Sequence, residues 1–299
     1  MNRRRPVLKV TQPYAGTAFL AAPGIAVSCW HVCAPDSPHL VSPVVFEYCS
    51  ENTAQCKIAF RGQLLHAQSD PKHDLAVVQV DIPDEFSIPP APLSLDDDSG
   101  EPVVAMGFPD EQFDLEEVEG VIFPHHPVKQ IWFEAETTPL EVLRIDTRAV
   151  GFYRDGDVRS GMSGGPVWND ISDTVVAVVV GKKPRGLLPH SPPDGYAIRL
   201  THLIECSPDV RSHVRQRRMN YEETWRLVEK AGQLGKRDRV IERVVRRMAT
   251  TDSHQRYWCY VALGRIGGKD AELIVANGLV DEDDFARMGA EEAWKLLGH

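Results

Sequence analysis

The 299-residue chain is 42% hydrophobic and 25% charged, the composition of a folded globular protein with enough length for one large or two ordinary domains. Its formal net charge of −10 argues against nucleic-acid binding by bulk charge, and no apolar run reaches the roughly 18 residues that span a membrane. The start, MNRRRPVLKVTQPYAG, is basic but lacks the apolar stretch of a secretion signal, so with Met1 as the native start a cytoplasmic location is expected. The six cysteines (Cys29, Cys33, Cys49, Cys56, Cys206 and Cys259) are then expected as free thiols. Cys29, His31 and Cys33 have no second pair at zinc-like spacing, so neither metal nor cofactor is expected.

In chain order, the first two-thirds predict β structure. GTAFLAAPGIAVSCW, PVVFEYC, DLAVVQV, PVVAMGF, KQIWFEAET, EVLRIDTRAV and TVVAVVVG are short and rich in valine, isoleucine and aromatics, with Gly, Pro, Asp and Ser between them. Many short strands of this kind predict a sandwich or barrel. Residues 81–102, rich in Pro and Asp, predict an extended connector between two β halves. After Cys206 the pattern becomes helical. The charge changes there as well: the first 206 residues carry a net −12 and the remaining 93 a net +2. A β domain over 1–205 and a helical domain over 206–299 follow.

The tail repeats. A shift of 31 residues superposes Asp252 on Asp283, Arg256 on Arg287, Ala262 on Ala293, Ile266 on Leu297 and Gly267 on Gly298. Leu234-Gly235 echoes the same turn upstream. Each unit reads helix, Leu/Ile-Gly turn, helix, and about two and a half units fill 221–299. The pattern resembles HEAT-like repeats, whose stacked arrays offer a concave surface to a protein partner; a plain helical bundle is the other reading.

Residues 161–165, GMSGG, place a serine among glycines directly before apolar residues. Upstream, His31 follows the strand GIAVSCW, and Asp74 opens the strand DLAVV. A serine hydroxyl is a poor nucleophile at neutral pH and needs an adjacent base, itself oriented by a third group. His31, Asp74 and Ser163 fit those roles, separated by 43 and 89 residues. Gly161 and the glycines after Ser163 suit a tight loop that aims the backbone N–H groups of Gly161 and Ser163 at a developing oxyanion. Taken singly, each residue has a plainer reading: a glycine turn, a core histidine, a capping aspartate.

The order His, Asp, Ser, with GTAFL, the strand before the histidine, DLAVV, G-x-S-G-G-P, TVVAVVVG and GYAIRL, resembles the trypsin/chymotrypsin-like serine peptidases over residues 10–204. The resemblance implies two six-stranded antiparallel β-barrels and an acyl-enzyme endopeptidase. It implies a catalytic triad of His31, Asp74 and Ser163. It also places Asp157 where relatives that cut after Arg or Lys carry their pocket carboxylate, with Gly181 and Gly195 as the small residues keeping that pocket open. A solvated turn is the alternative for Asp157. Met162 stands where secreted digestive relatives carry the aspartate that pairs with a newly cut N-terminus, so no N-terminal processing is expected and Met162 should pack against apolar neighbours. Val179 stands where relatives often carry a serine bonded to the triad aspartate.

The function expected is therefore a cytoplasmic endopeptidase acting on a specific partner protein, with the helical domain binding a partner or regulator. Such fusions resemble prokaryotic signalling and defence modules. A catalytically silent scaffold built on a peptidase fold is the alternative.

Overall fold

The computed structural model describes residues 3, 6–34, 43–49, 57–83, 86–95, 100–109, 114–128, 140–146, 158–182, 195–214 and 219–299. Six strands close a first barrel: β1 (Val7–Gln12), β2 (Gly16–Ala22), β3 (Ile25–Cys29), β4 (Val44–Cys49), β5 (Lys57–Leu64) and β6 (Leu75–Val80), in spatial order β1-β2-β3-β6-β5-β4. Antiparallel pairing of β1 with β4, Val10 opposite Phe46, completes the ring. A second barrel repeats the order with the next six strands, as β7-β8-β9-β12-β11-β10. These are β7 (Pro102–Gly107), β8 (Glu116–Val128), β9 (Leu140–Asp146), β10 (Pro166–Asn169), β11 (Thr174–Lys182) and β12 (Gly195–Arg199). Closure leaves no strand edge exposed to further pairing.

The apolar runs that look unalternating in sequence have two buried faces. In β11, Val176, Ala177 and Val179 pack into the second barrel's core with Ile122, Ile145 and Met162. Val175, Val178 and Val180 join the larger core built by the first barrel. A strand covered on both sides reads as continuous valine rather than as an alternation. The connector behaves as expected: residues 86–92 have no regular structure, and Leu93 makes single bridges to Val175 and Val214.

The chain divides into compact units at Arg215/Gln216, ten residues beyond the boundary read from composition. The intervening helices, α2 (Leu200–Cys206) and α3 (Pro208–His213), belong to the β unit. Leu200, Leu203 and Val210 are fully buried in the core of the first barrel, so burial and not helical pattern assigns them.

The second unit holds α4 (Tyr221–Ala231), α5 (Arg237–Met248), α6 (Ser253–Ile266), α7 (Lys269–Gly278) and α8 (Asp284–Leu296). The 31-residue period is a capping period. Asn220, Asp252 and Asp283 are the N-caps of α4, α6 and α8, and each side chain accepts from a backbone N–H in the first turn. Gly267 and Gly298 follow α6 and α8 with φ of +67° and +95°, positive values that glycine adopts without steric cost. Helices α6 and α8 touch backbone to backbone: a Cβ on Gly264 would sit 2.6 Å from Ala293 Cα, and one on Gly289 2.7 Å from Tyr257 Cα. Repeated small residues thus mark where alternate helices meet.

Candidate active site

The site is built from the first barrel's β3 and β6 and from the loop before β10. At the end of β3 the chain turns into a single helical turn, α1 (Trp30–Cys33), which carries His31. Asp74 follows a 3-10 turn over Pro71–His73 and opens β6 in a left-handed conformation, φ +56°. A non-glycine residue is rarely held there without a reason. Backbone bonds tie the two segments: Trp30 N donates to Asp74 O at 3.0 Å. The His31 N–H donates to Asp74 Oδ1 at 2.9 Å, and His31 Nδ1 lies 2.7 Å from Asp74 Oδ2. Asp74 is 2% exposed while the His31 side chain is 34% exposed. A buried carboxylate thus fixes the ring through Nδ1 and leaves the imidazole accessible, the arrangement a general base needs.

Ser163 sits on a loop clamped to the same strands. Thr17, in β2, holds both sides of it. Its N–H donates to Ser163 O at 2.8 Å, and its hydroxyl donates to Gly161 O at 2.9 Å while accepting from Phe108 N at 2.9 Å. Gly164 fits with φ of +87° against β3: a Cβ there would sit 2.0 Å from Thr17 O, 2.2 Å from Ser28 Oγ and 2.9 Å from Cys29 N. The nucleophile loop is therefore pressed on the residues that precede His31. Ser163 Oγ donates weakly to Val180 O, at 3.4 Å. Met162 N, Gly164 N and Gly165 N donate to the carbonyls of Arg159, Val179 and Met162. No described carbonyl takes the N–H of Gly161 or Ser163, and Gly161 has φ of +89°. These are the two donors assigned from sequence to the oxyanion. Met162 is fully buried in the core of the second barrel, as its replacement of a carboxylate requires.

Cys29 is a part of the site that the motifs did not announce. Its Sγ donates to Val179 O at 3.1 Å and lies, with ligand atoms of His31 and Asp74, within a 4.8 Å cluster. Burial first, then the charge of Asp74, push its thiol well above the usual range. It is a neutral S–H beside the carboxylate, at the place where Val179 offers no hydroxyl. Cys33, the third member of the spacing weighed for zinc, is outside this cluster and is held up at about 12, chiefly by burial.

The specificity residues are only partly placed. Asp157 lies outside the described residues. Gly181 has φ of +146°, and among the described residues no heavy atom lies within 4 Å of a Cβ built there. Gly195 packs closely on Val158, beside the position of Asp157: a Cβ on it would sit 2.3 Å from Val158 Cγ2.

Residues 16–178 match the family model of the trypsin-like peptidase domain, more than half of the chain. The chain belongs to the trypsin-like peptidases. This is a family of serine endopeptidases, hydrolases. No curated protein sequence matches the chain. Among solved structures, this trypsin-like peptidase is similar to the active form of the Rv3671c protease from M. tuberculosis. That match has 21% identity over 69% of this chain and 81% of that one, with a TM-score of 0.49. It is also similar to the MamO protease domain from Magnetospirillum magneticum (14% identity, 69% and 98% covered, TM-score 0.49). A third is the serine endoprotease from Yersinia pestis (17% identity, 68% and 61% covered, TM-score 0.46).

Proposed function

We propose that the chain is a cytoplasmic serine endopeptidase that cleaves one partner protein through an acyl-enzyme at Ser163. His31 takes the proton of the Ser163 hydroxyl as it attacks the scissile carbonyl, then returns it to the leaving amine. Asp74 holds the ring by Nδ1 and stabilises the imidazolium. The N–H groups of Gly161 and Ser163 receive the oxyanion; one such donor is worth about 3 kcal/mol of barrier. The single observation carrying this reading is the 2.7 Å Nδ1–Oδ2 contact beside a nucleophile loop that Thr17 locks against β2.

The helical unit supplies the partner-binding role in this proposal. Its capping period of 31 to 32 residues supports reading it as a short HEAT-like array. A peptidase free in the cytoplasm needs restriction to a chosen substrate, and a fused adaptor, as in prokaryotic defence or signalling modules, provides it. The substrate and the adaptor's ligand are both proteins; the net charge of −10 speaks against nucleic acid.

Fluorophosphonate labelling tests the chemistry. The wild-type chain is expected to label, and Ser163→Ala to remain unlabelled with an unchanged circular dichroism spectrum. A wild type that never labels, with or without cell extract, favours a binding scaffold instead.

A further inference from the structure

A second cluster of donor atoms lies four residues upstream of the triad aspartate and plays no part in acyl transfer. Asp70 caps the 3-10 turn of Pro71–His73: its Oδ1 accepts from His73 N at 3.2 Å, and its Oδ2 is 2.5 Å from His73 Nδ1. The ring of His73 stacks on that of His202, from α2, with centroids 3.8 Å apart and planes 14° from parallel. One ligand atom from each of Asp70, His73 and His202 lies within 4.8 Å of the others. All three residues are half-buried, so an ion from solvent can reach them.

We propose that Asp70, His73 and His202 form a binding site for a divalent transition metal of the zinc class. Two imidazoles and a carboxylate are a donor set such ions prefer, and three protein ligands leave a fourth position to water. Ligand atoms on a common tetrahedral zinc stand about 3.3 Å apart, given bonds of about 2.0–2.1 Å. The donor atoms here, all within 4.8 Å of one another, need to approach by about 1.5 Å at most. An ion held by Asp70 Oδ2 and His73 Nδ1 takes the place of the proton that now bridges them. Tilting the two stacked rings, now 14° from parallel, brings their in-plane lone pairs toward a shared ion. The site joins the turn that ends at Asp74 to α2, two elements of the same unit. The Cys29, His31 and Asp74 cluster is the poorer candidate, because His31 and Asp74 are engaged with each other in the candidate active site.

The test uses the full-length chain, stripped with chelator and titrated with zinc chloride by calorimetry. Cobalt(II) is added in parallel and its visible absorption read for four-coordinate geometry. The expected result is one equivalent bound with a dissociation constant of about 10 µM or tighter. His202→Ala and the bulkier His202→Gln weaken that binding at least tenfold, while His31→Ala leaves it in place. Zinc is also expected to raise Tm in the wild type and not in the His202 variants. Binding unchanged in both His202 variants, binding lost in His31→Ala, or no binding by about 1 mM zinc overturns the proposal. None of these readouts depends on peptidase activity.

Discussion

The β unit and the helical unit place their polar groups by opposite rules. In the β unit the decisive contacts join residues far apart in sequence: His31 to Asp74 across 43 positions, Thr17 to Gly161 across 144. In the helical unit most polar contacts stay near home. Asp252 and Asp283 accept from N–H groups two or three residues on, and Arg256 forks onto Asp281 25 residues away, one repeat along. The first rule assembles a reactive geometry that no local segment contains. The second finishes helix ends and welds neighbours, which stabilises but creates no chemistry. Substitutions confined to the His31–Asp74 pair should therefore change activity far more than stability, and those at the helix ends of the helical unit should change stability and leave hydrolysis of a small ester as it is.

The largest effect sharpens that separation. Asp74→Asn keeps the shape of a buried side chain but no longer fixes the tautomer of His31, so kcat on a small ester should fall about 10⁴-fold. The thermal midpoint should move by only a few degrees. A large loss of stability with activity retained would break the comparison, because Asp74 would then be structural.

Gly164→Ala should cost both quantities at once. The new Cβ meets Thr17 O at 2.0 Å and Ser28 Oγ at 2.2 Å, and φ is +87°, so the loop must leave β2 and β3. Left-handed strain alone contributes about 1–3 kcal/mol. Displacement of the Ser163 hydroxyl by about 1 Å should lower labelling by fluorophosphonate about 10²-fold. Chemical denaturation and labelling rates on the same sample measure the two losses together.

What the sequence displayed follows from the same contrast. Most of the strands and the buried Met162 were legible because each leaves a local mark, valine runs and a methionine in a family position; the strand expected at KQIWFEAET lies outside the described residues. The role of Thr17 was not legible, since its partners Phe108, Gly161 and Ser163 are 91 residues or more away. Cys29 looked like any buried thiol until Asp74 was folded against it. The close fit of Gly195 on Val158 was not legible either, because the two are 37 positions apart. The domain boundary slipped by ten residues because α2 and α3 carry a helical pattern like the tail's, and only the burial of Leu200, Leu203 and Val210 ties them to the barrel. In the helical unit, by contrast, the 31-residue period was legible in full, because caps are local.

The smallest expected effect tests the helical side. Glu223 accepts from Arg226 at 2.7 and 2.8 Å and from Arg247 at 2.7 Å, with its side chain 8% exposed. Burial pushes its carboxyl up, but the bonds and charges of Arg226 and Arg247 outweigh that and hold it down at about 2, against an ordinary 4.5. A carboxyl depressed on folding stabilises the folded state fully above the unfolded value. The contribution shrinks as pH falls from 4.5 toward 2 and is absent below it, where both states are protonated. The linkage is worth about 3 kcal/mol at neutral pH. Glu223→Gln should remove roughly 2–3 kcal/mol of it, leave two guanidinium groups short of a counter-charge, and flatten the loss of stability between pH 4.5 and 2. Hydrolysis of a small ester should be unchanged, because the triad draws no residue from this unit. Parallel pH-dependent denaturation and ester assays on the full chain decide it: a variant as stable as wild type at pH 7 removes the ion-pair argument, and one with impaired ester hydrolysis shows that the two units share more than a chain.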